Sequence, residues 1–247
     1  GAYTYEIVDN DNNGTTWGYD AGKKNVITDS FEAYTPWSIS GVGDWTLVDG
    51  DKNYTYGFGN KFPNQGNPYA YIVFNPSAVG DTGNNLDPHT GSQYMAAFSS
   101  STSANNDWLI SPLLSGEAQT VSFWVKTVDD SYGSEAYEVL YSTTDTATTS
   151  FQVVNTKTTA PTNWTKITVA LPAGSKYFAI HCVSNNCTMF AVDDVTYEAP
   201  AMIPTGYNIY KNGNKIASVD ANTTTYTDAS GETDDVYNVT AVYAEGE

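Results

Sequence analysis

The chain has 247 residues, of which 10 are Lys or Arg and 28 Asp or Glu, and its formal net charge of −18 repels phosphate backbones and anionic bilayers, so nucleic acid is excluded as a partner. No apolar run approaches the roughly 18 residues a membrane span needs, and direct membrane insertion is not expected. With 40% hydrophobic residues, 19 Tyr and only 15% charged residues, the composition suits pleated surfaces and tight turns: an all-β chain with one sandwich and a smaller module.

Residues 1–26 read as a separate N-terminal segment, free to pack on either module. A strand-like stretch at 3–8 leads into Asp9-x-Asp11-x-Asn13-Gly14, with Asp20 at the twelfth position. Alternating oxygen side chains followed by Gly can turn a backbone around calcium as in an EF-hand loop. The flanks look extended, however, and Asp stands where Glu is usual, so a solvated Asx-rich turn is the competing reading. Trp17 lies in the same polar loop, where a flat ring can stack on a sugar or pin the loop down.

Leu47-Val48-Asp49-Gly50-Asp51 echoes Ile7-Val8-Asp9-Asn10-Asp11, a second acidic turn. Residues 54–89 then form a long stretch rich in Asn, Gly and Pro and studded with aromatic rings. Long segments on a rigid scaffold often carry recognition, so Tyr54, Tyr56, Tyr69 and Tyr71 are candidate ligand anchors. The alternative is that these rings fold inward as a private core.

Alternation and β-branched content predict strands at 120–126, 136–141, 164–171 and 176–181, with Trp124 and Trp164 in the core. His89 and His181 have no recognisable nucleophile motif beside them and are expected to be structural. Cys182 and Cys187 flank Val-Ser-Asn-Asn. If 179–183 and 188–192 are arms of a hairpin, a disulfide across its end is geometrically possible; otherwise the two are small buried thiols. Asp193 and Asp194 are adjacent, and in a regular strand their side chains point to opposite faces.

Ala-Pro-Ala-Met-Ile-Pro at 199–204 reads as a stiff linker between a domain at 27–199 and a module at 200–247. In that module Asn212-Gly213 is a type I′ hairpin signal, and 236–243 alternates as a strand. This stretch resembles the middle and late strands of a fibronectin type III domain, but it is too short to be a whole one unless it lacks strands, borrows them from 2–26, or leans on the sandwich.

Between Ser30-Phe31-Glu32 and Asp193-Asp194-Val195 the chain carries, in order, Gly91-Ser92-Gln93-Tyr94-Met95, then Asn106-Asp107-Trp108-Leu109-Ile110-Ser111-Pro112, then Val121-Ser122-Phe123-Trp124-Val125. This succession, over roughly residues 27–198, resembles the cleaved-adhesin domains of bacterial gingipains and, more distantly, MAM domains. The resemblance implies a jelly-roll β-sandwich, a role in adhesion and, as in many members, bound Ca2+. In such a sandwich the first and last strands lie side by side, so Glu32, Asp193 and Asp194 are candidates to close on one cation, with Asp49, Asp51 or Asp107 completing its oxygens.

The function expected is a non-catalytic, calcium-stabilised binding module, monomeric and extracellular, cut from a larger secreted or surface protein. Its partners would be host or matrix proteins or glycans. The alternative is a carbohydrate-binding or accessory domain of a secreted hydrolase or peptidase, whose parent chain carries a separate catalytic domain.

Overall fold

A computed structural model describes residues 6–8, 14–15, 24–80 and 82–244. In chain order the strands are β1 (Glu6–Val8), β2 (Gly14–Thr15), β3 (Asn25–Asp29), β4 (Thr46–Asp49), β5 (Ile72–Phe74), β6 (Tyr94–Phe98), β7 (Asp107–Ile110), β8 (Gln119–Thr127) and β9 (Ala136–Ser142). They continue with β10 (Gln152–Thr159), β11 (Thr165–Leu171), β12 (Tyr177–Cys182), β13 (Met189–Ala199), β14 (Gly206–Lys211), β15 (Asn214–Asp220), β16 (Thr225–Thr227) and β17 (Tyr237–Val242). The only helical turns among the described residues are short 3-10 turns at Pro76–Ala78 and Thr148–Ser150. The fold is all-β.

The chain divides into two compact units, Val26–Pro200 and a second made of Gly1–Asn25 with Ala201–Glu247. The first is a jelly-roll sandwich. One sheet has the order β10-β9-β12-β7-β4; the other runs β11-β8-β13-β6-β5, with β3 also paired to β13. First and last strands of the sandwich are thus neighbours, and Thr28 and Thr196 hydroxyls meet at 2.8 Å across them.

Between the sheets lies the main core, which includes Phe31, Trp45, Phe123, Tyr137, Phe178 and Phe190. Because successive strand residues point to opposite faces, the continuous apolar runs of β5, β6 and β13 feed two cores at once. Val73, Met95 and Val192 enter the main core, while Ile72, Phe74, Tyr94 and Met189 enter a second one on the outer face. Phe58, Phe62 and Tyr69, from the long stretch before β5, cover that outer face. The apolar rings of this stretch thus cap the sheet, while many of its polar residues stay exposed. Trp124 and Trp164, expected in the core, are only partly buried: His89 stacks on Trp124 at 3.8 Å, and Lys126 Nζ sits 4.8 Å from the Trp164 ring centroid.

In the second unit β14 pairs with β15 and β17. The turn between β14 and β15 places Asn212 and Gly213 at φ 52° and 79°, the conformation a type I′ hairpin demands. β1 runs parallel to β16, with Ile7 opposite Tyr226, so the N-terminal segment supplies strands to the C-terminal one.

Candidate functional site

Strand β4 ends in Asp49, and strand β7 begins with Asp107; the two are direct partners in the antiparallel register. Like charges directly opposite on a sheet repel, so this pairing needs a compensating group. The turn after β4 brings in Asp51, and one ligand oxygen from each of Asp49, Asp51 and Asp107 lies within 4.8 Å of the others. Gly50 is required here by close approach: its N–H donates to Asn106 O at 2.8 Å, and a Cβ would run into the Asn106 side chain.

The carboxylates differ in how they are satisfied. Asp49 Oδ1 accepts the Lys52 N–H, and Asp51 accepts the N–H groups of Asn53 and Asn106. Asp107 is 2% exposed. Its Oδ2 accepts Asn105 Nδ2 at 2.7 Å, but its Oδ1 is buried with no hydrogen-bond partner among the described residues. Burial, together with the charges of Asp51 and Asp49 and against the Asn105 hydrogen bond, pushes the Asp107 carboxyl up to about 8. Burial also raises Asp49. Hard oxygen ligands around an unsatisfied carboxylate oxygen fit a divalent cation such as calcium.

Asp193 and Asp194 do not point to opposite faces. The pairing of β13 with β8 slips between Asp193 and Thr196, and Asp194 adopts φ 45°. Such a bulge re-aims side chains, and here both acids turn to the loop that carries His89. The N–H groups of His89 and Thr90 donate to Asp193 Oδ2 at 3.0 and 3.2 Å. Thr90 Oγ1 donates to Asp194, and His89 Nδ1 lies 2.5 Å from Asp194 Oδ2. Burial pushes the Asp193 carboxyl up to about 7, with the Asp194 charge adding to it.

Glu32 grips the same loop further along. Its carboxylate accepts the N–H groups of Ser92 and Gln93 and the Ser92 hydroxyl, at 2.7–2.9 Å. Burial works upward on Glu32, but these hydrogen bonds outweigh it and hold its carboxyl below the usual range. Gly91 lies so close that a Cβ would overlap the Glu32 carboxylate. Glu32 and Asp193 thus meet backbone donors, groups that compete with a cation for their lone pairs. The structure sets Glu32 apart from the acids of both clustered groups, His89-Asp193-Asp194 and Asp49-Asp51-Asp107.

Of the four candidate anchors, Tyr54 and Tyr56 are 68% and 51% exposed, whereas Tyr69 and Tyr71 are buried. Tyr71 and Tyr69 occupy the main and outer cores, and Tyr71 OH donates to Ile180 O, so neither is a surface anchor. Asp9, Asp11, Asn13, Trp17 and Asp20 lie outside the described residues.

The predicted Cys182–Cys187 disulfide is corrected as well: both are free thiols. Cys182 ends β12 in one sheet, and Cys187 precedes β13 in the other, so this connection crosses the sandwich and is not a hairpin. Cys182 Sγ lies in the core near Ser184 Oγ, while Cys187 Sγ donates to Ser134 O.

Tyr132, in the turn after β8, is 71% exposed and escaped sequence reasoning, because Asp129-Asp130-Ser131 beside it signals only an ordinary turn. His181 stacks on Trp108 at 3.9 Å with its Nε2 2.8 Å from Asn106 Oδ1. Burial lowers its pKa, against the pull of Glu138, so the ring stays neutral further into the acid range.

Residues 45–197 match the model of the Cleaved Adhesin Domain family, and residues 189–247 match that of the rhamnogalacturonan I lyases beta-sheet domain. Lys-gingipain W83 of Porphyromonas gingivalis is 35% identical over 164 residues, covering 58% of this chain and 9% of its own length. Gingipain R1 of the same organism is 24% identical over 251 residues, covering 91% of this chain and 13% of its own. This chain therefore spans only a small part of the curated relatives it matches. The crystal structure of the K2 cleaved adhesin domain of Lys-gingipain has a TM-score of 0.52 and 22% identity, covering 70% of this chain and 98% of that domain. The K1 domain gives 0.51, with 71% and 99% covered. Matched over most of its sandwich, the chain belongs to the Cleaved Adhesin Domain family.

Proposed function

We propose that the chain is a non-catalytic, extracellular adhesion module of a larger secreted or surface protein, binding host or matrix proteins or glycans, and that calcium stabilises its sandwich. Membership of the Cleaved Adhesin Domain family supports the binding role. The cation rests on one atom, Asp107 Oδ1, buried without a hydrogen-bond partner among the described residues, on a residue set against Asp49 across the sheet. Asp49, Asp51 and Asp107 would hold the ion, whose charge would cancel their mutual repulsion and tie β4 to β7. The residues themselves fix the oxygens in place: Asn105 orients Asp107, and the Lys52, Asn53 and Asn106 N–H groups orient Asp49 and Asp51.

A second reading, an accessory domain beside a catalytic one in the same parent chain, is favoured by the match of residues 189–247 to a lyase beta-sheet domain. Biosensor binding to a panel of matrix proteins and to a glycan array, in calcium and in chelator, tests the adhesion role. Saturable binding to at least one panel member is expected. Silence across both panels in calcium counts against it.

A further inference from the structure

Three shallow depressions on the sandwich unit run into one another. The first, of about 320 Å³, is lined by Tyr56, Tyr132, Asn186 and Cys187, among others. The second, of about 360 Å³, shares Gly57, Tyr132 and Thr188 with it and adds Asn60 and Asp129. The third, of about 350 Å³, shares Thr82 and Asn84 with the second and continues to Asp87 and Ser92. A row of depressions with common rims fits a linear chain better than a compact molecule.

Its walls are set before any ligand arrives. Tyr56 is fixed by its N–H to Ser99 O at 2.9 Å and by its hydroxyl to Ser101 O at 3.2 Å. The turn presenting Tyr132 is tied by the Ser131 N–H and hydroxyl to Asp129 Oδ1, and by the Gly133 N–H to Asp130 O. Asn60 Nδ2 donates to Val79 O, which holds its amide in place. Rigid aromatic faces beside fixed amides limit the ordering cost of binding.

The chemistry narrows the occupant. No described residue lining the row is basic, Asp87 and Asp129 are acidic, and the whole chain carries −18. An anionic ligand is repelled. What remains is exposed tyrosine faces for C–H groups, and amides and hydroxyls for hydrogen bonds, the groups that an uncharged sugar chain meets. We infer that this trough, flanked by Tyr56 and Tyr132, is the binding site for a neutral, linear polysaccharide. This deepens the adhesion reading and rests on it.

Isothermal titration with xylan, mannan, galactan and mixed-linkage glucan, in calcium, tests the assignment on the wild type, Tyr56→Ala, Tyr132→Ala and the double variant. Tyr54→Ala is the control, because its ring is 68% exposed yet lines none of the three depressions. At least one neutral polymer is expected to bind, with each trough substitution weakening it by roughly tenfold or more. Tyr54→Ala should leave affinity unchanged, and melting temperatures should match throughout.

Binding that survives the double variant, that falls equally in Tyr54→Ala, or that prefers polygalacturonate overturns the inference. So does a panel protein lost in the double variant while no polysaccharide binds, which would assign the trough to a peptide. If a panel protein still binds the double variant and no polysaccharide binds the wild type, the trough fails and the adhesion reading stands. If the wild type binds neither class, both fail.

Discussion

Asp49 and Asp107 stand directly opposite each other across β4 and β7, and Asp107 Oδ1 has no hydrogen-bond partner among the described residues. In the cation-free protein the Asp107 carboxyl holds its proton to about pH 8, whereas in the unfolded chain it ionises near 3.9. Between these values the folded state binds more protons than the unfolded state, so stability falls as pH rises. Asp193 and Glu135, each pushed to about 7 mainly by burial, act in the same direction. In chelator, melting temperature should drop between pH 5 and pH 8, by at least about 10 °C. A flat or rising profile contradicts the burial of these acids.

Asp193→Ala should be costly for a different reason, because it strips the acceptor from the N–H groups of His89, Thr90 and Asp194. A loss of about 3 kcal/mol in urea unfolding is expected, against about 1–2 kcal/mol for the more exposed Glu32→Ala. Lys126→Met should resemble Asp193→Ala, since Lys126 Nζ donates to Asn85 O and Asp87 O at 3.0 Å and both carbonyls would lose a partner. Equal, negligible effects in all three would show that this loop is not held as described.

The tyrosines before β5 should split by burial. Tyr71→Ala empties a fully buried site and breaks the hydrogen bond to Ile180 O, at a cost of about 3–5 kcal/mol; Tyr54→Ala should stay within about 0.5 kcal/mol of wild type. Chemical denaturation of the two variants measures both.

These outcomes trace what the sequence could and could not convey. The strands at 120–126 and 176–181 and the Asn212-Gly213 turn depend on local alternation and on φ preferences, and were legible. Asp49, Asp51 and Asp107 stood out by residue type, but only the register of β4 against β7 makes two of them opposite partners. The shared direction of Asp193 and Asp194 depends on a bulge that neighbouring residues do not announce. Tyr69 and Tyr71 could be read either as surface anchors or as inward-folded rings, because a stretch rich in Asn, Gly and Pro has no strand period that assigns them a face. Cys182 and Cys187 suggested a hairpin because a crossover between sheets and a tight turn use similar residues.

The thiols provide a separate check. Cys182 is fully buried and Cys187 partly exposed. A thiol reagent should modify Cys187 alone in the native protein and both cysteines after unfolding without reductant. No reactive thiol in the unfolded, unreduced protein would restore the disulfide.

Thermal melting with and without calcium, on wild type and Asp107→Asn at pH 8, tests the cation site most directly. Calcium should raise the wild-type melting temperature, because an ion held only by the folded state stabilises it by mass action. Asp107→Asn should melt at or above wild type in chelator, since the like-charge contact with Asp49 is gone, and should lose most of the calcium response. Equal melting of chelated and calcium-loaded wild type, or an undiminished calcium response in Asp107→Asn, would contradict the account.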